Sequence, residues 1–131
     1  MVALLGLPAK ASAPAITEAI PDSDSEQYLI LSVVLPSPTG LPTYLLGSCV
    51  NYVKFRVGDT SIWGSAARVQ AYDLVPKAGM IVLTYEGIWG HAAYIELVKD
   101  GLLYVSETNY YPGQYSERTI PVDSPLIRGF K

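Results

Sequence analysis

The stretch 91–109, HAAYIELVKDGLLYVSETN, constrains the fold of this chain more than any other. Two apolar runs flank Lys99-Asp100-Gly101, and Asp-Gly between such runs signals a β-hairpin. Strands are expected at 80–85, 89–98, 102–109, 117–122 and 126–130. Upstream, the pattern from Ser48 to Val57 is helical. Val50, Val53 and Val57 share one face, Gly47 or Ser48 can cap the start, and Gly58 stops the end. A second short helix is expected over Trp63–Tyr72, with Ala66 and Ala67 allowing close approach of a neighbour. Helices first and an antiparallel meander after them give an α+β layout.

The 131 residues suit one domain, and half of them are hydrophobic, which supports a packed core. Residues 1–40 read as a flexible leader or linker, with a short strand possible at 28–35, and 41–131 as the folded domain. The leader is rich in Ala, Pro and Ser. It contains an apolar run at Val2–Leu7 and the small-residue pattern Ala11-Ser12-Ala13, but its lysine, Lys10, follows the apolar run. A signal peptide carries its basic residues first. The segment reads as a leader or as the remnant of a longer export segment. Asp22 and Asp24 lack the glycine-centred loop and distal glutamate of a calcium site.

The net charge of −3 gives no basic footprint for nucleic acid. No apolar run reaches the roughly 18–20 residues that a membrane span needs. One cysteine cannot form an internal disulfide, and no Cys/His cluster has zinc spacing. No metal or cofactor is therefore expected.

With a single histidine, few catalytic schemes are open. Cys49 falls in the first turn of the expected helix, where the helix dipole and free N–H groups favour a thiolate. Free cysteines are also among the most buried and inert residues. His91 shares strand parity with Ala93, Ile95 and Leu97, so a structural histidine with a satisfied partner is the plain alternative to a base facing Cys49.

Hairpin register separates the two. A two-residue turn at Asp100-Gly101 sets 91 opposite 110 and turns Glu107 and Asn109 away from His91. A three-residue turn sets 93 opposite 107 and 91 opposite 109, gathering His91, Glu107 and Asn109 on one face. The three-residue turn, or an equivalent bulge, is the expected arrangement. Such a cluster supports nucleophilic acyl transfer: a base takes the thiol proton, an acid or amide orients the base, and helix N–H groups receive the oxyanion.

GSCVNYVKFRVG at 47–58, WGSAARVQA at 63–71, PKAGMIVLTYEGIWGHAAYIELVKDGLLYVSETNY at 76–110, RTIP at 118–121 and IRGF at 127–130 together resemble the cysteine, histidine-dependent amidohydrolase/peptidase (CHAP) family. The resemblance runs over about residues 44–131. It implies a papain-like α+β fold and cleavage of amide bonds in bacterial peptidoglycan, by an N-acetylmuramoyl-L-alanine amidase or an endopeptidase.

By the same resemblance Cys49 matches the nucleophile, His91 the histidine, and Glu107 and Asn109 the pair that orients the imidazole. Trp63, Gly64 and Ala66 match a packing element behind the site. Ser48 stands where many members have Gln, and with Cys49 it is the candidate oxyanion contributor. The calcium-binding acidic loop of some members has no counterpart, because 36–47 holds no Asp or Glu.

Trp89, Tyr110 and Tyr111 are candidates to line a groove for sugar and peptide, with Tyr115 nearby in sequence. The implied partner is peptidoglycan, the implied location extracellular or at the cell wall, and a monomer is expected. A non-catalytic peptidoglycan- or peptide-binding module on the same fold is the alternative.

Overall fold

The structure is a computed structural model and describes residues 32–131. The leader, with its acidic patch, and residues 28–31 of the first strand candidate lie outside the described residues.

The Asp100-Gly101 turn has two residues. Both take positive φ, 52° and 76°, and Lys99 pairs with Leu102. Positive φ at both central positions is the type I′ geometry that Asp-Gly favours, because its twist matches that of the strands. The expected three-residue turn does not form. Its effect on register comes instead from a β-bulge: Leu97 pairs with Tyr104 but Ile95 pairs with Val105, so Glu96 is one residue extra. Tyr94 then faces Ser106. Carried on toward the strand end, this register puts 93 opposite 107 and 91 opposite 109. The bulge also turns Leu97 off the face of His91, where plain alternation had it, and leaves it 39% exposed.

The hairpin strands are β3 (His91–Lys99) and β4 (Leu102–Thr108). With β1 (Ser32–Leu35), β2 (Ile81–Thr84), β5 (Tyr115–Pro121) and β6 (Ile127–Phe130) they form one six-stranded sheet, ordered β1-β5-β4-β3-β2-β6. Every pairing is antiparallel. The edge strand β1 pairs with β5, with Ser32 opposite Arg118 and Leu35 opposite Tyr115.

The α-helix, α1, runs Cys49–Val57 after a 3-10 turn at Thr43–Gly47. Ser48 caps it by accepting the Asn51 N–H at 3.1 Å, and Gly58 ends it in the left-handed conformation. Its buried residues are Val50, Tyr52 and Val53, whereas Val57 in the last turn is 39% exposed.

The helix expected over Trp63–Tyr72 reduces to a 3-10 turn at Ala66–Arg68. Its backbone is committed to the sheet instead: the Ala67 N–H donates to the Trp89 carbonyl at 2.8 Å, and Tyr72 and Phe130 exchange 2.8 Å bonds. Arg128 of β6 donates to the carbonyls of Ala66 and Val69, at 2.7 and 2.8 Å.

Alternation along the strands makes two cores. Leu45, Val50 and Val53 pack with Ile81, Leu83, Ala92 and Tyr115 between α1 and the sheet. Val82, Ala93, Ile95, Leu103, Val105, Ile120 and Phe130 fill the opposite face. Among the described residues no helix covers that second face. Its side chains bury one another.

The bulge is held from the α1 side. Glu96 forms an ion pair with Arg56 of α1 and accepts from Ser106 Oγ at 2.8 Å. Tyr52 Oη lies 2.7 Å from Ser106 Oγ, and the Arg56 guanidinium stacks 4.0 Å above the Tyr94 ring. Next to this group Glu117 is 1% exposed and accepts from the Tyr115 hydroxyl at 2.8 Å. Burial, with the charge of Glu96, raises its pKa to about 7, although the Tyr115 bond works against the shift. A carboxyl raised in the fold contributes stability below its unfolded value, and that stability is lost as pH rises through about 7. Glu117→Gln keeps an acceptor for Tyr115 without the charge. Relative to the parent it is expected to gain about 1–3 kcal/mol between pH 4 and pH 8, measured by urea unfolding.

Candidate active site

Cys49 begins α1 because Ser48 turns the chain there, extended at φ −151° and ψ 113°. The Ser48 carbonyl accepts the Tyr52 N–H at 3.1 Å and the Thr108 hydroxyl at 3.2 Å. The second bond ties the helix start to the end of β4. Cys49 is partly exposed and opens onto a cleft of about 310 Å³, whose wall includes Glu86, Trp89, His91, Asn109 and Tyr110.

His91 begins β3 directly after Gly90. Gly90 has φ +71°, and a Cβ there would meet the Ala67 nitrogen at 2.8 Å. Only glycine lets the 3-10 turn approach so closely, and that approach fixes where β3 starts. His91 Nε2 lies 2.8 Å from Glu107 Oε1, which leaves Nδ1 for the thiol. His91 is 5% exposed and Glu107 is fully buried.

Burial alone would push the Cys49 thiol up, but the His91 hydrogen bond and charge, helped by the Ala92 N–H, bring it below its ordinary value. Burial likewise opposes a charged His91. Hydrogen bonds to Cys49 and Glu107 and the Glu107 charge overcome it, raising His91 to about 9. Both shifts favour a thiolate beside an imidazolium.

Behind Glu107 stands Arg118, which sequence reasoning missed. Its Nε lies 2.8 Å from Glu107 Oε2, a close ion pair but not a straight hydrogen bond. Its two terminal nitrogens donate to both Glu86 oxygens, at 2.8 and 2.6 Å. Tyr110 covers the guanidinium at 3.9 Å and tilts against His91 at 5.5 Å between ring centres. Parity offers a signal in hindsight: Arg118 pairs with Val105, so it shares the face of Glu107.

The other candidates separate. Asn109, at φ 62°, accepts the Gly113 N–H at 2.9 Å and so caps its own loop; the partner of the imidazole is Glu107. The Ser48 hydroxyl is engaged as the helix cap. Trp89 stands out at 70% exposure, beside exposed Ile88 and Tyr85. Tyr111 packs edge-on to Tyr110 and shares a 2.7 Å hydroxyl bond with Ser32 of β1. Trp63 donates from its indole to Asp59 at 3.1 Å, on the first core. Tyr115 lies within that core as well. Among the described residues no group of three or more His, Cys, Asp or Glu side chains could hold a metal ion, and no helix is long and apolar enough to cross a membrane.

Imidazole and buried carboxylate thus stand 2.8 Å apart at the end of an antiparallel sheet, and the thiol, on a helix N-terminus, shares the cleft of the imidazole. This defines an α+β domain built around one cysteine and one histidine. The chain belongs to the CHAP domain family, which it matches over residues 39–109. It is 40% identical over 95 residues to staphylococcal secretory antigen ssaA2 of Staphylococcus aureus strain NCTC 8325 / PS 47, covering 63% of this chain and 36% of that protein. Over 86 residues it is 38% identical to staphylococcal secretory antigen SsaA of the same strain, covering 57% of this chain and 34% of that protein. The chain therefore matches about a third of the length of these relatives.

Two measurements check the electrostatics. Alkylation of Cys49 is expected to outpace a free thiol at pH 6–7, since its thiolate persists below the usual pKa of about 8.5. In an NMR titration of His91, Glu107→Gln is expected to lower the pKa by at least about one unit, whereas Asn109→Ala leaves it within a few tenths.

Proposed function

We propose that this chain is a papain-like cysteine peptidase or amidohydrolase that cleaves amide bonds of bacterial peptidoglycan. The observation that carries this reading is the line Cys49–His91–Glu107, whose shifts favour the ion pair that thiol catalysis needs. CHAP membership supports the chemistry. The relatives are named secretory antigens, which supports action outside the cell.

In the proposed reaction the Cys49 thiolate attacks the amide carbonyl. The Cys49 N–H at the start of α1 donates to the oxyanion, with the helix dipole behind it. As the C–N bond breaks, His91 gives its proton to the leaving amine and an acyl-enzyme remains. His91, now neutral, takes a proton from water, which attacks the thioester. The acid is released and the thiolate–imidazolium pair returns. Glu107 keeps the imidazole oriented and stabilises its charge throughout. The exposed Trp89 and the Tyr110 ring at the cleft offer faces for a sugar or a peptide backbone.

The alternative, a binding module without chemistry, calls for a thiol with no activating partner. The lowered Cys49 and raised His91 favour the enzyme. Cell walls treated with the protein are expected to lose turbidity and gain free amines, and Cys49→Ala is expected to abolish both, a loss of at least about a thousandfold. Activity should fall in acid as the thiolate protonates, and in alkali as His91 loses its proton near 9. Undiminished activity in Cys49→Ala would overturn the reading.

A further inference from the structure

We propose that Arg118 is a positioning residue that couples the Glu107 carboxylate behind His91 to the 85–90 loop carrying Trp89, so that the nucleophile's charge balance and the substrate wall are set by one guanidinium. The proposal rests on the cysteine-hydrolase reading for its consequence on turnover. Its electrostatic part stands on geometry alone.

Arg118 is 3% exposed and uses three nitrogens on two carboxylates from different elements. Glu107 comes from β4, Glu86 from the loop after β2. That loop is tied further by Thr84, whose hydroxyl donates to Glu86 Oε1 at 2.9 Å and accepts the Glu86 N–H at 3.3 Å. It then runs through Ile88 and Trp89 into Gly90 and His91. A bidentate guanidinium–carboxylate pair fixes orientation as well as charge. Arg118 therefore grips both ends of one short segment: directly at Glu86, and through Glu107 at His91.

The groups facing Arg118 are Glu86 from the loop, Glu107 from β4 with His91 of β3 beyond it, and Tyr110 from the loop after β4. Cys49 of α1 lies one step further, against His91. Counted as ions, the chain alternates: thiolate, imidazolium, Glu107, Arg118, Glu86. Without the guanidinium, two carboxylates remain against one imidazolium. Glu107 then adds negative charge beside the thiolate that no cation offsets, which disfavours the thiolate.

The test compares the parent, Arg118→Met and Arg118→Lys. It measures the pH dependence of Cys49 alkylation by iodoacetamide, and kcat and KM on cell walls. Cys49 is the sole cysteine, so labelling is specific. Arg118→Met is expected to raise the alkylation midpoint by about one pH unit and to lower kcat about tenfold near neutrality. Arg118→Lys restores a charge for Glu107 without the fork that holds Glu86. Its midpoint should return toward the parent while its KM is raised above the parent's. A folded Arg118→Met with the parent's midpoint overturns the proposal. If Arg118→Met does not fold, Arg118→Lys decides: a raised KM with the midpoint kept supports the coupling, and parental values of both overturn it. Alkylation needs no wall substrate. An inert parent on walls would therefore sink the peptidoglycan reading and leave the alkylation comparison of parent and Arg118→Met standing.

Discussion

One extra residue in β3 governs the site. Without the bulge at Glu96, the type I′ turn would set His91 opposite position 110 and turn Glu107 to the other face. With it, a buried carboxylate stands behind the imidazole at 2.8 Å. Such an insertion in a regular ladder costs pairing energy and persists only when something holds it. Here the extra residue carries a charge, and Arg56 with Ser106 binds that charge on the α1 side of the sheet. One helix therefore serves both ends of the arrangement: its first residue is the thiol, and its second turn secures the bulge that brings the carboxylate round to the histidine.

The two faces of the sheet divide the work accordingly. The face under α1 packs apolar side chains beside a cluster of Tyr52, Arg56, Glu96 and Ser106. The opposite face packs a second core that ends in His91, Glu107 and Arg118. The thiol reaches that end because α1 starts over the ends of β3 and β4, where Thr108 holds the Ser48 carbonyl. The buried charges lie in an alternating row, so each is offset by the next.

Much of this was legible in the sequence, for identifiable reasons. Period-2 runs marked the core strands, and Ser48 and Gly58 marked the ends of α1. The need for one register shift between Asp100-Gly101 and His91 could be derived, but not where it falls. A Gly at the end of Lys99-Asp100-Gly101 suits either turn, and the choice was made by a distant helix holding Glu96. The short helix expected over 63–72 shrinks to one 3-10 turn because its N–H and carbonyl groups bond to Trp89, Phe130 and Arg128, none of them near in sequence. Register puts Asn109 opposite His91 and so suggests it as a partner of the imidazole. Its positive φ turns the side chain to Gly113 instead. Arg118 is not legible in the sequence because a lone arginine in a strand reads as solvent-facing, and its two acidic partners lie 11 and 32 positions away.

The edge strand β1 bears on where this domain should be taken to begin. The family match starts at residue 39, after β1 has ended. A protein trimmed to that boundary would lose Ser32–Leu35, and with it the neighbour of β5 along Tyr115–Arg118. The strand holding Arg118 would become a bare edge, open to pairing with another chain. Tyr111 would lose its hydroxyl partner at Ser32, and the aromatic stack over Arg118 would lose its outer support. The structural unit that encloses Arg118 therefore extends further than the piece that carries the family's signature.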